Sequence, residues 1–298
     1  MKSLHTPFIK FILAFMLCCT GITASAQGRV LYYSQPPEGF ASARIPKGLL
    51  AKDMQLWQTI MEESHVNPYH AITKEALQQL QKDLLAQLPD SVTHFEASFA
   101  VSRLIGSLNE GHLGFATSRV SDSMYAYHCI RFPYLLQDIE NGGFTVQRDL
   151  SSSNKLPPLS RIIAVNNVPV EQLYNKYAGF YGGLEPWKKL MVKNNIRKLL
   201  YMDGIVSPFT IKAIVNNDTL LFTTDGYTRQ QADSISRILS AETSSFQPFS
   251  LRFLENNIAL IGFNTMNGSL RDSFSVFLHR SFSEIQQRNA AGVIIDIR

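Results

Sequence analysis

Few residues in this chain combine reactive chemistry with a local setting that could use it, and His112 stands first among them. It follows Asn109-Glu110-Gly111, a turn-forming triplet directly after an apolar helical stretch, so its imidazole is carried on a loop. A protonated imidazole is favoured at that place, beside the unsatisfied carbonyls of a helix C-terminus. A second pair, Asp296 and Arg298, closes the apolar run Val293–Ile297. Chemistry in open α/β sheets collects at the carboxyl ends of strands, although two charged residues there also make an ordinary polar end to a core strand.

Other chemistries lack their residues. There is no G-x-S-x-G elbow, no Walker loop and no H-E-x-x-H. His65 and His70 are five apart across Pro68, and His128 adjoins Cys129, but neither pair has further ligands at metal spacing, so no metal or cofactor is expected. Gly179, Gly182 and Gly183 are interleaved with aromatics and neither follow a strand nor show dinucleotide spacing, which reads as a mobile loop.

The elements that must position His112 precede it. Leu50, Met54, Trp57, Ile60 and Met61 form one apolar helical face, and Asn67-Pro68 breaks the chain. Leu77, Leu80, Leu84 and Leu88 form the next, with Thr73 as N-cap. Thr93 with Glu96 makes a capping box for a third helix carrying Phe95, Phe99, Leu104, Ile105 and Leu108. This helix should stop with Gly111 in the left-handed C-cap conformation, followed by Leu113-Gly114-Phe115 in strand-like alternation.

The middle third reads as β-rich. Ile162–Val170 contains two short apolar runs around Asn166-Asn167, a hairpin signal. Val170, Leu173, Tyr174 and Tyr177 then share a helical face, and strands at Phe209–Val215 and Thr219–Thr224 flank Asn216-Asn217-Asp218. After a polar helix and linker, Ile258–Phe263 is a strand. Leu270, Phe274, Phe277, Leu278, Phe282 and Ile285 line a helix that Asn289–Gly292 ends, with Gly292 at its C-cap. Val293–Ile297, nearly all β-branched, has the composition of a parallel strand buried on both faces. The whole reads as one βαβ unit.

At its amino end the chain has Lys2 and Lys10, an apolar run from Phe11 to Ile22, and Ala24-Ser25-Ala26, the pattern of a secretory signal peptide. Removing residues 1–26 leaves 26 basic against 24 acidic residues, a net of +2. No basic stripe supports nucleic-acid binding, and no second long apolar run supports a membrane span. Cys129 is then the only cysteine, so no internal disulfide is expected. Residues 27–46, with Pro36, Pro37 and Pro46, read as an extended leader.

Two segments carry a resemblance. "GVIIDIR", preceded by an amphipathic helix and "IALIGF", resembles the start of the catalytic core of the C-terminal processing (tail-specific) serine proteases, which include the tricorn-type peptidases. "LIGSLNEGHLGF" resembles that family's signature ahead of its PDZ-like insert, with Glu110 where Asp is usual. The strand, Val-Asn-Asn-Val-Pro-Val turn, helix and hairpin of the middle third resemble the insert itself, a module that captures chain ends as an added strand.

The resemblance implies an α+β fold: a signal peptide (1–26), an N-terminal helical region (27–120), a PDZ-like β-rich domain (121–226), a helical linker (227–250), and the first βαβ unit of a ClpP/crotonase-like core (251–298), incomplete. It implies an exported, periplasmic or extracellular serine-type peptidase, a hydrolase acting on protein or peptide substrates, by way of their C-termini, with His112 as candidate base. The family's Asn-x-Gly-Gly turn, nucleophilic Ser and Lys or Glu partner follow the Asp-Ile-Arg equivalent, so this truncated sequence is expected to be inactive as given. A non-catalytic periplasmic protein that binds peptides or small ligands on the same fold is the alternative.

Overall fold

The computed structural model describes residues 39–40, 42–140, 142–242 and 247–297. The expected signal peptide, residues 27–38 of the leader, and Arg298 lie outside the described residues. The chain divides into two compact units, one ending at Gln231 and one beginning at Ala232.

In the first unit, β1 (Arg44–Pro46) pairs antiparallel with β2 (Ser91–Thr93), so the end of the expected leader is a strand. Three helices follow the expected order: α1 (Lys47–Ser64), α2 (Lys74–Gln87) and α3 (His94–Ser107). Thr73 caps α2 by accepting from the Ala76 N–H, and Thr93 and Glu96 form the reciprocal capping box on α3. One face differs from expectation. Ile60 is exposed, and Gln58 takes the buried place between Met54 and Met61. Two residues are about 200° of helix rotation, so both cannot face inward. The Gln58 amide is satisfied by Glu62 and the Tyr69 hydroxyl.

α3 is a wall shared by two interiors. Ala97, Ala100, Leu104 and Leu108 pack with Leu50, Met54 and Leu77, while Phe99 lies against the core of the β module. A further helix, α4 (Arg119–His128), is capped by Ser118 and crosses the position where the helical region was expected to meet the β-rich module.

That module is an antiparallel sheet of β3 (Tyr134–Glu140), β4 (Gly143–Asp149), β5 (Arg161–Val165), β7 (Phe209–Val215) and β8 (Asp218–Thr224) in the order β3-β4-β5-β7-β8, with β6 (Val168–Pro169) on β5. Both expected hairpins form. Asn166 and Asn167 (φ 46° and 64°), and Asn216 and Asn217 (φ 50° and 73°), have the paired positive φ of tight two-residue turns. α5 (Val170–Ala178) buries Val170, Leu173 and Tyr177 as expected. α6 (Glu185–Met202) was not anticipated, because its lysines and Arg197 interrupt a stripe of Val192, Ile196, Leu199 and Leu200 that fills the core.

In the second unit, α7 (Arg229–Glu242) spans the division, and β9 (Phe249–Leu254), β10 (Ile258–Phe263), α8 (Arg271–Gln287) and β11 (Gly292–Asp296) follow. β10 and β11 are parallel, with Ile258 opposite Gly292 and Gly262 opposite Asp296, as the βαβ reading requires. β9, lying antiparallel on β10, completes the order β11-β10-β9. Asn289 (φ 50°) takes the left-handed position after α8, and Gly292 is already in β11. Phe282 is exposed, and β11, which borders the sheet among the described residues, is not buried on both faces: Val293, Ile294 and Ile295 remain exposed. The whole is a mixed α+β chain with antiparallel sheets and one parallel pair. No helix of the described residues is long and apolar enough to cross a membrane.

Candidate functional site

His112 is positioned by the end of α3. The helix stops at Ser107, and Asn109 (φ 52°), not Gly111, turns the chain out. Asparagine tolerates this region, and here its side chain adds an anchor. Asn109 Oδ1 accepts from the Gly183 N–H at 2.9 Å. Leu113 N–H closes the turn on the Glu110 carbonyl at 3.1 Å.

The Gly179–Gly183 segment, expected to be a mobile loop, is instead the clamp that holds this turn. A Cβ at Gly182 would lie 2.4 Å from the Glu110 nitrogen and 2.5 Å from its oxygen, so only glycine allows the two backbones to meet. Along the same line, a Cβ at Gly106 would come within 2.3 Å of the Gly179 carbonyl oxygen, which lets α3 lie directly against that segment. Leu113–Phe115 is irregular rather than a strand. Ala116 N–H donates to the buried Ser102 hydroxyl of α3 at 2.9 Å, and Phe115 joins Phe99, Phe180 and Tyr181 in an aromatic cluster.

On this support Glu110 and His112 face each other. Glu110 Oε1 accepts from the His112 backbone N–H at 3.2 Å and lies 3.1 Å from His112 Nδ1. Because the carboxylate can only accept, Nδ1 carries the proton, and the neutral ring has its lone pair on Nε2. The imidazole is 99% exposed. Glu110 Oε2 is 4.0 Å from His65 Nε2 at the end of α1. His65 Nδ1 accepts from the Asn67 N–H at 3.2 Å, which places the His65 proton on Nε2, toward Glu110. The hydrogen bonds from His112, side chain first and backbone second, hold the Glu110 carboxyl below its ordinary range. A second cluster is stronger still: the Tyr69 hydroxyl, then Lys74 at the start of α2 and Gln58 of α1, hold the Glu62 carboxyl down to about 2.

The sequence reading placed His112 beside helix carbonyls or a distant nucleophile; its observed partner is the carboxylate two residues before it. Glu110 as orienting acid and His65 as its second neighbour were missed. The Glu-x-His spacing was the available signal for the first, but nothing local marks the second, 45 positions upstream in sequence. Among the described residues, no hydroxyl is hydrogen-bonded to His112, and no group of three His, Cys, Asp or Glu side chains could hold a metal ion. Asp296, the other candidate, ends β11 in the second unit, while Arg298 lies outside the described residues. Cys129 is a free, buried thiol that burial pushes up to about 12, an inert core residue.

No protein-family model matches this chain, and no curated protein is similar to it. Among solved structures, it is similar to mature CPAF at 12% identity and a TM-score of 0.44, covering 73% of this chain and 48% of that one. The same coverage and TM-score hold for a mutant of CPAF, at 11% identity, and for mature CPAF complexed with lactacystin, at 12%. The chain spans about half the length of these structures.

Proposed function

We propose that this chain is part of an exported serine-type peptidase of the C-terminal processing type, in which His112 is the general base and Glu110 its positioning residue. The supporting observation is the Glu110–His112 pair at 3.1 Å on a turn clamped by Gly182, with no partner on Nε2 among the described residues. A base whose second nitrogen is held by a carboxylate is the arrangement that acyl transfer needs. In the proposed reaction a serine hydroxyl attacks the peptide carbonyl and His112 Nε2 takes its proton. Glu110 keeps the tautomer and steadies the imidazolium. His112 then returns the proton to the leaving amine, and water releases the acyl group by the same route. The family resemblance puts the serine and the oxyanion-holding turn after β11, so residues 27–298 alone would not turn over substrate. Residues 1–26 would direct export and leave Gln27 as the new amino terminus.

The product of the whole gene should cleave an unstructured peptide and be labelled by a serine-directed fluorophosphonate. His112→Ala should lower kcat by about a thousandfold, and Glu110→Gln by a smaller factor with little change in KM. Cleavage by residues 27–298 that depends on His112, or full activity of the His112→Ala whole-gene product, overturns the reading.

A non-catalytic peptide-binding role has one observation in its favour. β8 is an edge of the antiparallel sheet, and Leu221 on it is exposed, which is the kind of border that accepts an extended peptide as a further strand. Under that role a peptide binds the chain equally well in the presence and absence of His112, and nothing is cut.

A further inference from the structure

A cleft of about 780 Å³ opens in the first unit between α2, α3 and the ends of α5 and α6. Such a volume suits a small organic ligand. One wall is aromatic: Phe95 lines it beside Phe99 and Phe180, whose rings stack at 5.0 Å. Four charged side chains also line it, and three are engaged. Lys176 pairs with Asp203, which also accepts from the Tyr177 hydroxyl at 2.8 Å. Glu96 is occupied in the capping box of α3.

Arg103 has no hydrogen-bond or ion-pair partner among the described residues. Its guanidinium lies across Gly179, where an added Cβ would fall 1.6 Å from Nη1, so the glycine gives it room. The C-terminal end of α5 favours a cation at that place. Among the described residues, however, no carbonyl accepts from it. A guanidinium without a counter-ion beside an aromatic wall matches a molecule with one carboxylate and one apolar body.

We propose that this cleft binds a small amphipathic carboxylate, its acid group on Arg103 and its chain or ring against Phe95 and Phe99. Two sources share this chemistry, a free alkyl or aryl acid and the apolar carboxyl end of a peptide. The proposal stands apart from the peptidase reading, since His112 plays no part in it.

The test is isothermal titration of the purified chain with octanoate against octanamide, and with an acetylated tripeptide ending in phenylalanine against its C-terminal amide. At least one acid should bind about tenfold or more tighter than its amide, the gain expected of a charge-assisted pair. Which of the two acids shows the preference identifies the source. Arg103→Gln, an exposed position whose fold is checked by circular dichroism, should equalise acid and amide. Phe99→Leu should weaken both alike, and His112→Ala should change neither. Equal binding of acid and amide by the unaltered chain, a preference that survives Arg103→Gln, or no binding of any of the four overturns the proposal. A cleft that instead seats a folded protein segment gives the last of these results.

Discussion

The sheet of the first unit and the sheet of the second are built from similar residues and end in different states. β5 and β7 hold Ile162, Val165, Ile211 and Ala213 fully out of water, under α5 and α6 and among Phe132, Tyr134, Phe144 and Phe209. β11 has Val293, Ile294 and Ile295 in a row, and Ile294 is 47% exposed. Among the described residues, the second unit's buried cluster is Ala259, Ile261 and Ile285, with Phe277 and a few neighbours against it. Burial is therefore decided by how many layers cover a strand, and β-branched composition records only the capacity to be covered. An edge strand with exposed β-branched residues is also a template for association.

That contrast can be broken most directly in the first unit. Ile162→Ala should cost about 2–5 kcal/mol in a denaturant melt, because a fully enclosed site cannot collapse around the space left. A loss below 1 kcal/mol would mean that the first core is no tighter than the second. Gly182→Ala drives a methyl group into the Glu110 backbone and should cost about 1–3 kcal/mol. It should also change the His112 ring signals in an NMR spectrum, and unchanged signals would show that the clamp does not hold the turn. Thr93→Ala removes the capping box from the helix that both interiors of the first unit share, and about 1 kcal/mol is expected in the same melt.

A smaller effect separates polar anchoring from packing. The Glu62 carboxyl is depressed from 4.5 to about 2, chiefly by the Tyr69 hydroxyl. A depressed carboxyl adds stability above its unfolded value, and that stability is lost as pH falls from about 4.5 toward 2. The pair is well solvated, so the slope is shallow and weakens with salt. Glu62→Gln should flatten the acid limb of a stability–pH curve, and an unaltered limb would remove Tyr69 as the cause. Least of all in stability, Ile294→Thr should shift the melt by no more than about 0.5 kcal/mol while reducing apolar-dye binding and self-association. A large destabilisation there would show that β11 is covered after all.

At the helix ends the sequence reading misplaces the left-handed residue. Gly111 and Gly292 were expected to take the left-handed position after their helices, and Asn109 and Asn289 take it instead. Among the described residues every non-glycine position with positive φ except Leu159 is an asparagine. The hairpins at Asn166-Asn167 and Asn216-Asn217 were read correctly because asparagine was trusted there. At the helix ends the nearby glycine drew the assignment, although an asparagine came first and could use its side chain, as Asn109 does on Gly183. α6 went unread because charge interrupts its stripe, and the 179–183 segment was taken as loose because its neighbours are some seventy positions away in sequence.

What the sequence by itself determined is whatever depends on neighbours a few residues apart: the first three helices, the threonine caps of the second and third, the two asparagine hairpins, and the parallel strands joined by α8. What only the tertiary structure decided is the company these elements keep. Gly182 under Glu110, Gly179 beneath Arg103 and His65 beside Glu110 join distant positions through close packing. Periodicity reports which face of an element is apolar, but the surface that comes to lie against it is selected by shape and by the room a missing side chain leaves.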